Sequence, residues 1–436
     1  MAHATEIGER FVTGVCHVTA EAKTLHLSPS RALLLAGWLF ASVFFLYAFV
    51  LRVSPSVMVD DLMREFAVGG AVLGNLSAVY FYVYASIQIP IGVAIDRFGA
   101  RRLASGAAAV CTVGVLVFAG ADTLWMAYVG RFLIGLGCAC SFVAALSVAA
   151  IWFPGRFALL GGLAQMLGVL GGVLGQGPFG YAVEQIGWRE TNWWVAMGGV
   201  ALTICLFLTV RDKPSGGAEP SRPLLEGLKR ALSNGQTWLA ATFGVGMTGS
   251  MLAFGGLWGV PFFMEARGLD KPEAAALASV MFFGWGAGAP LSGWLSDKLG
   301  KRRPFMVMGG LLATTGIALI VLFPAMPLPL LYAVLALQGA GSSTMVLSFA
   351  VAREHNPPWA NSATLGIINS FVVGSGAVLQ PSIGYLLDLT WDGRMVDGAR
   401  VYSLDTFGFA LQVLPWCCLA GVAAACFIRE VGKTAR

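Results

Sequence analysis

Apolar residues run along this chain in blocks of about twenty or more, separated by short polar breaks, with neither the alternation of a half-buried strand nor the one-sided stripe of a soluble helix. Each block is long enough for a helix to cross a hydrocarbon layer about 30 Å thick. The pattern predicts helices near 33–58, 70–95, 103–121, 124–152, 157–185 and 192–210, then 237–264, 272–296, 304–323, 328–352, 360–387 and 405–428. The chain therefore reads as an all-α integral membrane protein with 12 transmembrane helices in two sets of six. Composition agrees: 57% of residues are hydrophobic, 12% are charged and mean hydropathy is +0.74, well away from a soluble domain. The 8 cysteines lie almost entirely in apolar runs without metal-ligand spacing and read as packing residues.

The polar breaks give the organisation. Residues 1–32 mix His3, Glu6, Glu9, Arg10, Lys23 and His26 with small residues and lack an apolar core with a cleavage site, so they read as a cytoplasmic tail. A six-helix bundle is expected over 33–210 and a second over 237–428. The linker 211–236 is rich in Pro, Gly and Ser and carries a short amphipathic helix from Leu224 to Leu232, and 429–436 is a second tail. Of the 28 Lys and Arg, six (Arg64, Arg189, Arg267, Lys271, Arg394, Arg400) fall on one side, and Arg52 and Arg131 lie inside helices. The rest share the side of both termini, which the distribution of positive charge assigns to the cytoplasm of a cell (inner) membrane.

One polar break occurs twice. Gly92-Val-Ala-Ile-Asp-Arg-Phe-Gly-Ala-Arg-Arg102 and Gly293-Trp-Leu-Ser-Asp-Lys-Leu-Gly-Lys-Arg-Arg303 share their Gly, acidic, basic, Gly and paired basic positions at one spacing. The doubled turn resembles the loops between helices 2 and 3, and between helices 8 and 9, of major facilitator superfamily transporters, a resemblance that covers roughly residues 33 to 428. It implies two pseudo-symmetric six-helix bundles around a central cavity. Asp96, Arg97, Gly99 and Arg101, with Asp297, Lys298, Gly300 and Arg302, are then expected to gate the cavity as a charge latch on the cytoplasmic side. The paired basic residues serve topology as well.

The carboxylates all fall in tails, loops or helix ends and no histidine lies within a helix, so the membrane interior holds two cations, Arg52 and Arg131, without a counter-ion. Intramembrane charges are costly and mark functional paths. Both arginines are expected about 10 Å below the outer surface at 1.5 Å per helical residue. The resemblance places them on helices that line the cavity. A guanidinium there offers a donor fork suited to a carboxylate or phosphate. Arg52, in Tyr47-Ala-Phe-Val-Leu-Arg-Val-Ser-Pro-Ser56, resembles the helix-1 Arg of organic-anion symporters and sugar-phosphate permease-like exchangers. Helix 7 lacks the second Arg of the exchangers, which puts carboxylates ahead. Arg131, in Gly130-Arg-Phe-Leu-Ile-Gly-Leu-Gly137, resembles the helix-4 motif whose Arg often bonds backbone carbonyls of helix 1, so a structural role stays open beside a ligand role.

Tyr80, Tyr84 and Gln88 form one polar stripe on helix 2, and Gln165, Gln338 and Asn369 are polar points on helices 5, 10 and 11. Each could line the cavity or bond a neighbouring helix. The glycines of helix 5, and those around Gly284 and Gly339, are expected to form sliding surfaces. Gly177-Pro178 resembles the helix-5 signature of exporters, with Val173 where a Gly is expected.

No nucleotide-binding loop, metal cluster or nucleophile arrangement suggests an enzyme, and no cofactor or nucleic-acid partner is implied. The expected function is secondary active or facilitative transport of a small organic anion by alternating access, as a monomer, with a proton or a counter-transported anion as coupling partner left open. The alternative is an exporter of hydrophobic or cationic compounds, of the drug-efflux type, which the cation-only interior disfavours.

Overall fold

The computed structural model describes residues 30–212 and 224–431. The tail expected over 1–29, residues 213–223 of the linker and residues 432–436 lie outside the described residues. Among the described residues, twelve helices are long and apolar enough to cross a membrane. We number them as spans 1 to 12: Arg31–Val57, Gly70–Phe98, Ala100–Ala119, Leu124–Trp152, Leu159–Ile186, Trp188–Thr209, Gly235–Arg267, Lys271–Leu299, Arg303–Leu322, Leu328–Glu354, Ala363–Leu389 and Leu404–Cys426. Several begin a residue or two before the hydropathy pattern does, because a polar cap sets the first turn. Ser30, Thr123, Asn234, Asp270 and Ser403 each accept a hydrogen bond from the backbone N–H two or three residues on.

The repeated turn breaks between helices at glycines in positive-φ conformations, Gly99 at +83° and Gly300 at +64°. We call this end of the bundle the turn face. The opposite end, the far face, holds two elements that hydropathy does not mark: a short helix Val59–Phe66 and a hairpin pairing Met395–Val396 with Ala399–Arg400. Between spans 6 and 7 a helix does cover Leu224–Leu232.

Spans 1 to 6 pack together, as do spans 7 to 12, and the two sets meet along two seams, span 2 with span 11 and span 5 with span 8. The seams are related by the repeat. Phe81 and Phe282 are as far apart in sequence as Gly92 and Gly293; Phe81 lies against Gly376 of span 11, and Phe282 against Gly172 of span 5. A Cβ on either glycine would come within 3.2 or 2.9 Å of the ring, so glycine is what lets the helices close. The expected sliding surfaces are thus only partly placed between the two sets. Gly172 and Gly180 of span 5, and Gly286 of span 8, face across a seam, whereas Gly168, Gly171 and Gly175 meet span 1 and Gly284, Gly288, Gly339 and Gly341 close spans 8, 9 and 10 on one another.

Hydrogen bonds fasten the far face across the two sets. Asp388, at the end of span 11, accepts the first N–H groups of span 2 from Gly70 (3.0 Å) and Ala71 (2.8 Å), the Tyr402 hydroxyl (2.6 Å) and the Arg400 guanidinium (3.1 Å). It is an N-terminal cap supplied from the other half, where the helix dipole favours an anion. Burial, then the bond to Asp388, raises the Tyr402 hydroxyl above its ordinary pKa and keeps it a donor. Lys271 pairs with Asp61 at 2.6 Å and Arg64 donates to the Asp397 carbonyl at 2.6 Å.

Candidate functional site

Span 1 ends as an α-helix at Val53 and tightens into a 3₁₀ turn, Ser54–Val57, where Pro55 cannot continue the α-helical bonds. Arg52 occupies the last α-helical turn. It is 5% exposed and its Nε donates to the Tyr80 hydroxyl at 3.3 Å. The guanidinium carbon lies 4.3 Å from the Phe49 ring centre, 5.0 Å from Tyr84 and 5.5 Å from Tyr80. Its Nη2 is buried and has no partner.

Arg131, 2% exposed, is placed otherwise. Its Nη1 donates to the Leu51 carbonyl at 2.9 Å and its Nη2 to the Ser77 carbonyl at 3.1 Å, tying span 4 to spans 1 and 2. Of the two roles open to Arg131 from sequence, this geometry is that of the backbone-bonding one. Its guanidinium lies 5.3 Å from the Tyr80 ring centre, so both arginines share that tyrosine. Among the described residues neither arginine has a carboxylate within ion-pairing distance.

The stripe on span 2 continues from this cluster. Tyr80 and Tyr84 stack at 5.7 Å, and Gln88, a further turn along, donates to the Ala139 carbonyl and accepts from Asn369 Nδ2 at 2.9 Å. Arg52, Tyr80, Tyr84, Gln88 and Asn369 thus lie in one polar line that crosses the seam between spans 2 and 11. Two expected residues stand apart from it. Gln338 is fully buried within the second set, bonded to Ser250 and Ser342, and Gln165 on span 5 is half-buried and joins neither cluster.

Two glutamines that the sequence analysis passed over sit at the centre. Span 7 is wound as a π-helix over Met251–Trp258, a form whose wider turn is rare and frequent at functional sites. Gln176 of span 5 donates to the Gly255 carbonyl, and Gln380 of span 11 donates to the Leu252 carbonyl at 2.9 Å. A signal was present: each glutamine stands one or two residues before a proline, Pro178 or Pro381, in helices related by the repeat.

On the turn face the side chains of Asp96 and Arg97 lie outside the described residues. Asp212, beyond span 6, accepts from the backbone N–H of Arg101 at 2.8 Å at the start of span 3, and Arg101 Nε donates to the Phe207 carbonyl at 2.7 Å. The second copy has the same plan. Glu430, beyond span 12, accepts from the N–H groups of Arg302 (2.9 Å) and Arg303 (2.7 Å) at the start of span 9. The Arg302 side chain meets Asp297 at 2.6 Å and Glu354 at 2.9 Å. Burial works against the Arg302 charge, but its bonds to Glu354 and Asp297 outweigh it and raise its pKa above the ordinary value. Lys298 lies 4.9 Å from the Trp294 ring centre. These contacts fasten helices within each set rather than one set to the other.

Residues 33–381 match the sequence model of the Major Facilitator Superfamily. A gentisate transporter of Corynebacterium glutamicum is 24% identical over 89% of this chain and 90% of its own length. A probable galactarate/D-glucarate transporter of Escherichia coli K12 is 22% identical over 80% of this chain and 86% of its own. Among solved structures, a bacterial homologue of the human lysosomal transporter Spinster superposes with a TM-score of 0.74 at 20% identity, covering 92% of this chain and 97% of that one, a likeness of fold.

Proposed function

Because this chain belongs to the Major Facilitator Superfamily, we propose that it is a secondary transporter carrying a small organic monoanion across the inner membrane by alternating access, with Arg52 as the anion-binding residue. One observation carries the reading: Arg52 is a buried cation with an unpartnered guanidinium nitrogen and, among the described residues, no carboxylate within ion-pairing distance. A charge so placed is strongly disfavoured unless something completes it, and a carboxylate matches its donor fork. Arg131 also has a buried, unpartnered Nε, but both of its terminal nitrogens are engaged by carbonyls, so of the two arginines Arg52 is the one that offers a terminal nitrogen to a ligand. A second carboxylate on the substrate would find no second free fork, because Arg131, although charged, is bonded to carbonyls, which favours monocarboxylates over dicarboxylates. The relative named for gentisate, a monocarboxylate, supports this reading, and the one named for galactarate or glucarate, both dicarboxylates, supports an organic anion without the restriction to one carboxylate.

The bundles 33–210 and 237–428 are the moving bodies in this reading. With both termini in the cytoplasm, as the distribution of Lys and Arg favours, the far face is the outer face, and the Asp388 and Lys271 bonds hold it shut in this state. The turns stiffen the cytoplasmic ends of each bundle. Tyr80 and Tyr84 orient Arg52, and Gln88 with Asn369 links the bundles on the cytoplasmic side of the site. Uptake of radiolabelled monocarboxylates and dicarboxylates into proteoliposomes, with Arg52→Ala as control, tests the proposal. Monocarboxylate uptake that collapses in the variant is expected; uptake indifferent to the substitution would reject the assignment.

A further inference from the structure

Gln176 and Gln380 are both 0% exposed, and each follows by four residues the glycine, Gly172 or Gly376, that meets the equivalent phenylalanine across a seam. They reach one turn of one helix from the two halves of the chain, Gln176 from the first to the Gly255 carbonyl and Gln380 from the second to the Leu252 carbonyl. Trp258 Nε1 donates to the backbone carbonyl of Gln380 at 3.0 Å and fixes that end of the arrangement.

These partners also decide which way each carboxamide points. A backbone carbonyl can only accept, so the NH₂ group faces span 7 and the oxygen faces away from it. Both oxygens, Gln176 Oε1 and Gln380 Oε1, are buried and without any donor. An orphaned buried acceptor is uncommon, because burial strips its water. Among the described residues the carboxamide oxygens Gln338 Oε1 and Asn361 Oδ1 are left so as well, but only Gln176 and Gln380 place theirs at repeat-related positions around one π-turn.

Two of the elements that the pair joins, span 5 and the π-helix, adjoin span 1, which carries Arg52. Gly175, the residue before Gln176, approaches span 1 so closely that a Cβ on it would lie 2.8 Å from the Val50 carbonyl oxygen and 2.7 Å from a Val53 methyl. The turn that follows Arg52, Ser54–Val57, packs directly on the π-helix. Span 1 therefore presents an unsatisfied donor, and spans 5 and 11 present unsatisfied acceptors, on adjoining elements.

We infer that Gln176 and Gln380 form a hydroxyl-accepting subsite, so that the transported anion is a hydroxy-substituted monocarboxylate whose carboxylate meets Arg52 and whose hydroxyl groups donate to the two glutamine oxygens. The inference rests on the anion-transport reading given above and narrows it. A site built to accept from a hydroxyl discriminates strongly against the analogue lacking it, since the acceptor then stays bare, whereas a plain apolar pocket discriminates weakly.

The test is a ratio of dissociation constants within each preparation of purified, detergent-solubilised full-length protein, which cancels differences in folded fraction. The probes are a dihydroxybenzoate against benzoate and gluconate against hexanoate. The wild-type protein is expected to bind the hydroxylated member of at least one pair about tenfold tighter or more. Gln176→Met and Gln380→Met, which keep side-chain length and remove the acceptor, are each expected to bring that ratio to about threefold or less. Either variant suffices should the other fail to fold. Equal binding of both members by the wild type, or a ratio unmoved in the variants, overturns the inference while leaving Arg52-dependent anion binding intact. Absence of Arg52-dependent binding for every probe would instead overturn the anion reading and this inference with it.

Discussion

Arg52 and Tyr80 are joined by a hydrogen bond of 3.3 Å between Nε and the phenol, and the same tyrosine ring lies 5.3 Å from the Arg131 guanidinium. One side chain thus holds the free cation in place and lies against the engaged one. Removing the hydroxyl alone, in Tyr80→Phe, leaves the charge and the ring but frees Nε. The loss of one hydrogen bond to a charged group is about 1.5–3 kcal/mol at most, so KM for the anion is expected to rise by no more than about tenfold to a hundredfold, with a smaller change in kcat. Arg52→Lys keeps the charge and loses the fork, and is expected to be more damaging than Tyr80→Phe because a point charge cannot reproduce two directed donors. Initial rates of proteoliposome uptake against substrate concentration check both; a lysine variant as active as the parent would show that charge alone is used.

Arg131 should respond differently. Its two bonds satisfy the Leu51 and Ser77 carbonyls within the helix bundle, and Leu51 directly precedes Arg52. Arg131→Ala removes two charge-assisted bonds that tie span 4 to spans 1 and 2 and opens a large void, a combined cost of about 3–5 kcal/mol. Thermal melts in detergent are expected to fall clearly, and Arg52 to lose its exact seating with them. Arg131→Lys, able to reach only part of this arrangement, should lie between, and the preference for monoanions over dianions should persist wherever the protein remains folded.

The contrast between these two arginines also indicates how far sequence carries. The twelve spans, the doubled turn and the stripe of Tyr80, Tyr84 and Gln88 follow from composition, spacing and helical period, which are local properties. Which arginine is free is a matter of where carbonyls on two other helices lie, and a resemblance of motif could leave both roles open for Arg131. The π-turn and its glutamines were hidden for the same reason: a glutamine in an apolar run reads as a helix-packing residue, and only convergence in space separates Gln176 and Gln380 from Gln165 and Gln338. Asp212, Glu430 and Asp388 were legible as acids near helix ends, but the helix starts they cap are those of spans 3, 9 and 2, remote in sequence.

Asp388 provides the next test. It accepts from two N–H groups of span 2, a tyrosine and an arginine, all on the far face, and three of these four bonds are made to one of its oxygens. Asp388→Asn removes the charge that favours the helix start and turns part of the group into a donor facing donors. The far face should open more often. Spin labels at Gln185→Cys and Asp392→Cys, both exposed positions on opposite halves of that face, in a background with Cys16, Cys205, Cys417 and Cys426 replaced, should report a longer distance population in the asparagine variant. An unchanged distance distribution would mean that the seams alone hold this face closed.

The turn face makes a prediction that separates two carboxylates on one guanidinium. Arg302 meets Asp297, whose side chain is 70% exposed, and Glu354, whose side chain is 9% exposed. The exposed partner is screened by water and salt, and its removal in Asp297→Asn is expected to cost about 1 kcal/mol or less, shrinking further as ionic strength rises. Removing the buried partner in Glu354→Gln leaves the largely buried Arg302 paired only with the water-screened Asp297, a loss larger than that of Asp297→Asn and one that salt does not relieve. Melting curves of the two variants at low and high salt distinguish these outcomes directly. Should Asp297→Asn prove the more destabilising, the geometry around Arg302 would have to change elsewhere in the transport cycle, with the exposed aspartate becoming the buried partner when the turn face closes.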